Sequence, residues 1–149
     1  MTRLRVAIVG ASGYGGSELL RLLLPHPHVE VVSATSRRHA GKPLGSAHPN
    51  LSHVTAPVFT DPAMEELSHA CDAVFFALPH GEAMSRVRPF VERDRLIFDL
   101  SSDFRLRDPS VYSSAYGRAH TATDLIPSFT YGQPELLMRR GAGARRVAC

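Results

Sequence analysis

The chain has 149 residues, 44% of them hydrophobic and 21% charged, which is enough apolar material for one globular domain and too much for a disordered one. Its 17 basic and 14 acidic residues leave a net charge of only +3, and Lys42 is the only lysine. The pI near 9.2 is thus an arginine bias of composition, with no ground in it for nucleic-acid binding. Cys71 and Cys149 have no metal-ligand spacing, and no apolar run has the length or flanks of a signal peptide or membrane span, so a reducing, cytoplasmic setting is expected.

Strand-like and helix-like segments alternate over the first hundred residues, the pattern of a parallel sheet with helices on both faces. Arg5 to Val9 reads as the first strand. Tyr14 to Leu24 reads as its helix, with a broad apolar face of Leu19, Leu20, Leu22, Leu23 and Leu24 and a stop at Pro25 and Pro27. Val29 to Ala34 is the second strand, with Thr35-Ser-Arg-Arg38 at its C-terminal end. From His39 to Pro57 the glycine, proline, histidine and serine content predicts an ordered excursion or a mobile loop with little regular structure. A short helix over Ala63 to Ala70 follows, then strands over Ala73 to Leu78 and Leu96 to Leu100, joined by a crossover helix from Glu82 to Glu92 that Pro89 interrupts. Asp108-Pro-Ser-Val-Tyr112 reads as a helix start and Phe129 to Glu135 as a strand or turn leading into a short helix. Arg145 to Cys149 reads as the start of another buried strand. The expected fold is one α/β, Rossmann-like, doubly wound parallel sheet spanning residues 1–149.

The most informative segment is Gly10-Ala-Ser-Gly13-Tyr-Gly-Gly16, which joins the first strand to its helix. Glycines at 10, 13 and 16 permit a tight turn, a close approach of backbone to a pyrophosphate, and tight packing of helix on strand. The helix N-terminus adds free amides and partial positive charge, so Gly10, Ser12, Gly13, Tyr14 and Gly16 are candidates to cradle a dinucleotide phosphate. Ser36, Arg37 and Arg38 end the second strand, where an acidic residue reads ribose hydroxyls in NAD-preferring folds and cations read the 2′-phosphate in NADP-preferring ones. No Asp or Glu occupies that turn, so NADP is the expected cofactor; the alternative is a solvated charge run. Parallel strands also bring Leu78-Pro-His-Gly81 and Ser101 to Arg105 to the same sheet edge. Leu78 and Pro79 are further cofactor candidates. His80 is either catalytic or a loop residue beside the cofactor. Ser101 and Arg105 suit a phosphate as hydroxyl and forked guanidinium donors, with Arg105 pairing to Asp103 or Asp108 as the alternative. No histidine pattern forms a metal constellation, so no metal is expected.

Gly10 to Gly16, Thr35-Ser-Arg-Arg38, His48-Pro-Asn-Leu51, Ala77-Leu-Pro-His-Gly81, Asp99-Leu-Ser-Ser-Asp-Phe-Arg-Leu106 and Tyr131-Gly-Gln-Pro-Glu-Leu136, in this order, resemble the N-acetyl-gamma-glutamyl-phosphate reductases. The pattern is shared with the reductases of carrier-protein-linked aminoadipyl phosphate in lysine synthesis. The resemblance implies NADPH-dependent reduction of a small-molecule acyl phosphate to an aldehyde through a cysteine thioester, in arginine biosynthesis or, alternatively, lysine synthesis. It places Gln133 and Glu135 near the active site, although both also suit a structural turn. It sets the nucleophile in a Gly-Cys motif about three residues beyond Cys149, which lacks that glycine; Cys149 is therefore a candidate nucleophile or a buried packing residue. The family's general acid, catalytic domain and most contacts of its homo-oligomers are likewise expected beyond residue 149. On this reading the chain binds cofactor and is inactive alone, and a non-catalytic NADP-binding module is the competing class. No membrane or nucleic-acid partner is expected.

Overall fold

A computed structural model describes residues 2–132 and 143–149. Strand β1, Leu4–Val9, enters the interior as an apolar run whose last four residues are buried. Helix α1, Tyr14–Leu23, starts from Gly13 and ends ahead of Pro25, whose ring cannot continue it. Its apolar face is narrower than the expected broad one. Gly16 and Leu20, four apart, share the buried stripe, Leu19, Leu23 and Leu24 flank it, and Leu22 points away and is 55% exposed.

Strand β2, Val29–Thr35, leads into the excursion, which has little regular structure, as its composition suggests, and is the ordered excursion of the two alternatives. Two short 3-10 turns, Leu44–Ser46 and Pro49–Leu51, insert Leu44 and Leu51 beside Ile8, Leu20 and Ala34. A two-residue strand β3, Phe59–Thr60, then pairs parallel to the end of β2, with Ala34 opposite Phe59 and Thr35 opposite Thr60. Sequence reading missed β3, since two residues carry no alternation.

Helix α2, Met64–Ala70, and strands β4, Ala73–Phe76, and β5, Leu96–Asp99, fall where expected. The crossover helix does not. Only Arg88–Glu92 is helical, as α3, with Pro89 in its first turn, where the missing N–H costs nothing. Upstream, the pair that would begin a longer helix is spent elsewhere: the Met84 amide donates to Asp103 and the His80 carbonyl accepts from Arg118. Helix α4, Pro109–Tyr116, is capped by Asp108, which accepts from the Ser110 amide, and ends on Gly117 in the left-handed region. A 3-10 turn over Thr123–Ser128 precedes β6, Thr130–Tyr131, and β7 is Arg146–Ala148.

Among the described residues the strands form one sheet in the order β3-β2-β1-β4-β5-β7-β6, every pair parallel. Alternation along β1 sends Ile8 to a cluster under α1 and the 3-10 turns, and Ala7 and Val9 to a larger cluster with Val74, Phe76, Leu67 and Phe90 under α2 and α3. Both faces are covered, as in the expected doubly wound fold. Strand order reverses between β1 and β4, so their C-terminal ends diverge into a crevice. No described helix is long and apolar enough to cross a membrane.

Candidate functional site

The glycine loop occupies that crevice, and its glycines do different work. Gly10 has φ +86°, and a Cβ there would lie 2.4 Å from the Ala77 carbonyl oxygen, so the loops after β1 and β4 touch through a position only glycine fills. A Cβ on Gly16 would come within 2.5 Å of the Ala11 Cα, so that glycine lets α1 close onto its own loop. Gly13 differs from both. It has φ −84°, and the nearest atom to its Cβ position is the Gly10 carbonyl oxygen at 3.7 Å, which leaves the loop surface open toward solvent. Thr35 ties the loop to β2, accepting from the Gly10 amide through its hydroxyl and from the Ala11 amide through its carbonyl. The first-turn amides of α1 have no partner within the helix, and no acidic side chain occupies that turn. A positive helix end therefore faces the cleft. Tyr14 is 97% exposed and lines a neighbouring cavity with Ser12, Gly13 and His48.

A cavity of about 520 Å³ runs from Gly10, Ser12 and Gly13 to Ser36, Arg37 and Arg38 on one side and Ala77, Leu78 and Pro79 on the other. Ser36 is buried, donates its hydroxyl to the Ser12 Oγ at 2.9 Å and accepts from the His39 amide. It braces the glycine loop against β2. Arg37 and Arg38 are exposed, and neither guanidinium pairs with any described residue. Asp61, just past β3, and Glu82, paired to Arg86 at 2.7 Å, also line the cleft. Sequence reading missed both acids; recognising β3 would have placed Asp61. A larger cavity, about 630 Å³, lies beside α2 and α3 between Met64, Met84 and Thr121, away from the glycine loop.

The ends of β4 and β5 are welded together by Asp103. Its buried carboxylate accepts from the Gly81 amide at 2.6 Å, the Met84 amide at 3.0 Å and the Tyr112 hydroxyl at 3.0 Å. His80, exposed on the same loop, accepts the Ser102 amide at Nδ1, which puts its own proton on Nε2. Ser101 is fully buried; its hydroxyl donates to Asp99 at 2.9 Å and accepts from the Asp103 amide, so the fold spends it on the loop rather than presenting it to a ligand. Arg105 pairs with neither Asp103 nor Asp108. It donates to the Cys149 carbonyl at 2.6 Å and the Leu100 carbonyl at 3.1 Å, and its Nη1 makes no bond to a described residue.

Burial pushes the Asp99 carboxyl up to about 6, against the opposing Ser101 bonds. Cys149 extends β7 by donating its amide to the Asp99 carbonyl, and its thiol is held above the ordinary range by burial first and the Asp99 charge second, with Arg105 opposing. Burial likewise raises Cys71 to about 11. No described thiol has the lowered value of an activated nucleophile. Gln133 and Glu135 lie outside the described residues.

Comparison with known proteins agrees with this geometry. The chain is 46% identical over 146 residues to an N-acetyl-gamma-glutamyl-phosphate reductase from Nitrosococcus oceani, covering 98% of this chain and 43% of that one. It is 47% identical over 144 residues to a LysW-L-2-aminoadipate 6-phosphate reductase from Deinococcus radiodurans, covering 97% and 40%. It is 40% identical over 146 residues to a LysW-L-2-aminoadipate/LysW-L-glutamate phosphate reductase from Saccharolobus solfataricus, covering 98% and 42%. The chain thus spans about two fifths of the length of these curated relatives. Among solved structures, aspartate semialdehyde dehydrogenase with NADP from Candida albicans matches with a TM-score of 0.59 and 25% identity over 72% of this chain and 32% of that one. Aspartate semialdehyde dehydrogenase II from Vibrio cholerae matches in fold, with a TM-score of 0.64 and 16% identity over 99% and 38%. The family model described as the NAD-binding domain of semialdehyde dehydrogenase matches residues 5–140, and the chain belongs to that family.

Proposed function

We propose that this domain binds NADP(H) for an enzyme that reduces an acyl phosphate to an aldehyde. The observation that carries the cofactor choice is the pair Arg37 and Arg38, exposed and unpaired among the described residues at the end of β2, across the cleft from the glycine loop. The residues present suit the dinucleotide. Ser12 and Tyr14 offer amides to a pyrophosphate at the N-terminus of α1, while the Gly13 amide closes the loop onto the Gly10 carbonyl and its bare Cα leaves room for the phosphate; Gly10 and Gly16 keep that loop tight, and the arginine pair meets the 2′-phosphate while Ser36 braces the turn beneath it. Leu78 and Pro79 supply an apolar wall. Bound NADPH supplies the hydride. Arg105, with Nη1 to spare at the ends of β5 and β7, meets the substrate phosphate on this reading; Ser101 serves it indirectly, by shaping the loop. The nucleophile and acid of the complete reaction are sought outside these residues.

Two of the three relatives cited act, by name, on LysW-linked substrates, so a carrier-protein-linked aminoadipyl or glutamyl phosphate is better supported than N-acetylglutamyl phosphate. Both share the distal acyl phosphate that the site must handle. A cytoplasmic, oligomeric enzyme of amino-acid biosynthesis is the setting that fits this chemistry.

Calorimetric titration with NADP and NAD tests the cofactor reading. Each charge-assisted contact to the 2′-phosphate contributes about 1.5–3 kcal/mol, so NADP should bind at least about tenfold more tightly, and Arg37→Ala with Arg38→Ala should erase the difference. Equal affinities in the unmodified chain refute it.

A further inference from the structure

His48-Pro-Asn-Leu51 has no part in the cleft lining described above, yet its histidine reaches the glycine loop at the Ala11 carbonyl. His48 caps the second 3-10 turn: its amide donates to the Leu44 carbonyl at 3.0 Å and its carbonyl accepts from the Leu51 amide at 2.8 Å. The residue is 6% exposed, and its ring lies edge-on to Phe59 with centroids 6.0 Å apart and places Nε2 2.8 Å from the Ala11 carbonyl oxygen. A carbonyl only accepts, so Nε2 carries the proton. Gly10 and Gly13 have loop and helix partners for their carbonyls, and the bond from His48 satisfies that of Ala11.

The consequence follows from peptide planarity. In a trans peptide the carbonyl and the following amide point in opposite directions, so holding the Ala11 oxygen toward His48 turns the Ser12 N–H away from it. His48 lines a separate cavity of about 400 Å³ beside the loop, whereas Ser12 and Gly13 line both that cavity and the cofactor cleft. The Ser12 N–H has no partner among the described residues. We infer that His48 is a positioning residue for dinucleotide binding, which locks the Ala11–Ser12 peptide so that the Ser12 amide faces the pyrophosphate and the carbonyl does not. This rests on the cofactor reading above. Without the imidazole the peptide is free to turn, and a rotated plane would present a carbonyl oxygen to the anion.

The test compares NADP with adenosine 2′-monophosphate, which carries the 2′-phosphate but no pyrophosphate. In the unmodified chain both should bind. In His48→Ala, NADP should weaken at least about tenfold, in line with one lost charge-assisted bond, while adenosine 2′-monophosphate keeps its affinity. Equal weakening of the two, or none of either, overturns the inference while leaving the cofactor reading intact. Failure of the unmodified chain to bind NADP overturns both. Should the alanine variant fail to fold, His48→Gln and His48→Asn carry the same comparison. A glutamine amide reaches the Ala11 carbonyl and should retain NADP affinity; asparagine, one methylene shorter, should lose it. Equal affinities in these two variants overturn the inference.

Discussion

Replacing Gly13 by alanine separates a ligand cradle from a mere turn. At φ −84° and ψ 176° the backbone suits any residue, and the added Cβ meets only the Gly10 carbonyl oxygen, at an ordinary 3.7 Å. Stability should then reflect two small opposing effects. Alanine reduces unfolded-chain entropy, worth about 0.4–1 kcal/mol of stabilisation. As the N-cap of α1 it is poorer than glycine by roughly 0.5–1 kcal/mol. The sum lies within about 1 kcal/mol of zero, or roughly 2–4 °C in Tm for a chain of this size. Binding has no such compensation. The methyl group stands where a pyrophosphate must approach the loop amides, and losing one or two charge-assisted bonds of about 1.5–3 kcal/mol each weakens NADP by about tenfold to several hundredfold or more. Thermal unfolding and calorimetric titration on the same preparation give both numbers. An unchanged Kd per folded molecule, with or without a fall in Tm, would refute the assignment of this loop to the cofactor.

Gly16→Ala should behave differently: a Cβ 2.5 Å from the Ala11 Cα forces the loop off α1, so stability should fall by about 1–3 kcal/mol or more and NADP affinity should fall with it, and a variant of unchanged Tm would show that the helix start is not so closely packed. Asp99 predicts a pH dependence. Its folded value, about 6, lies above the unfolded value near ~3.9, so the folded state binds the extra proton between them and the group's contribution to stability declines as pH rises through that window, by roughly 3 kcal/mol in all. Asp99→Asn should therefore gain stability relative to the parent chain between about pH 4 and pH 6.5 in urea unfolding, and a difference independent of pH counts against a buried, reluctantly ionised carboxylate. Cys149 should alkylate with an inflection above that of an ordinary thiol, and Asp99→Asn should lower it by removing the neighbouring charge; an inflection below about 8.5 would point to an activated nucleophile instead.

Local pattern was a sound guide wherever chain neighbours alone decide the outcome. The glycine loop, the strands on either side of the strand-order reversal, the Asp108 cap of α4 and the basic turn after β2 all sit where the sequence puts them, because turn chemistry, capping and periodicity act over a few residues. The failures share a cause. Glu82 to Val87 has a helical composition, but the Met84 amide bonds to Asp103 and the His80 carbonyl that would have accepted it is taken by Arg118, partners 19 and 38 residues away from the groups they engage. The excursion from His39 to Pro57 has little regular structure, as its composition suggests, but composition does not show that Leu44 and Leu51 join Phe59 of β3 in the core over β1 and β2 and thereby deliver His48 to the glycine loop. Ser101 and Arg105 carry donors suited to a phosphate, but tertiary contacts commit the serine entirely and the arginine in part. The sequence by itself thus determined the parallel α/β fold and the sheet edge at which the glycine loop and the basic turn meet, since both rest on local periodicity and backbone geometry. Which polar groups remain free to meet a ligand was decided by the tertiary structure, because a buried donor or acceptor must find a partner and the chain supplies one from wherever the fold brings it near.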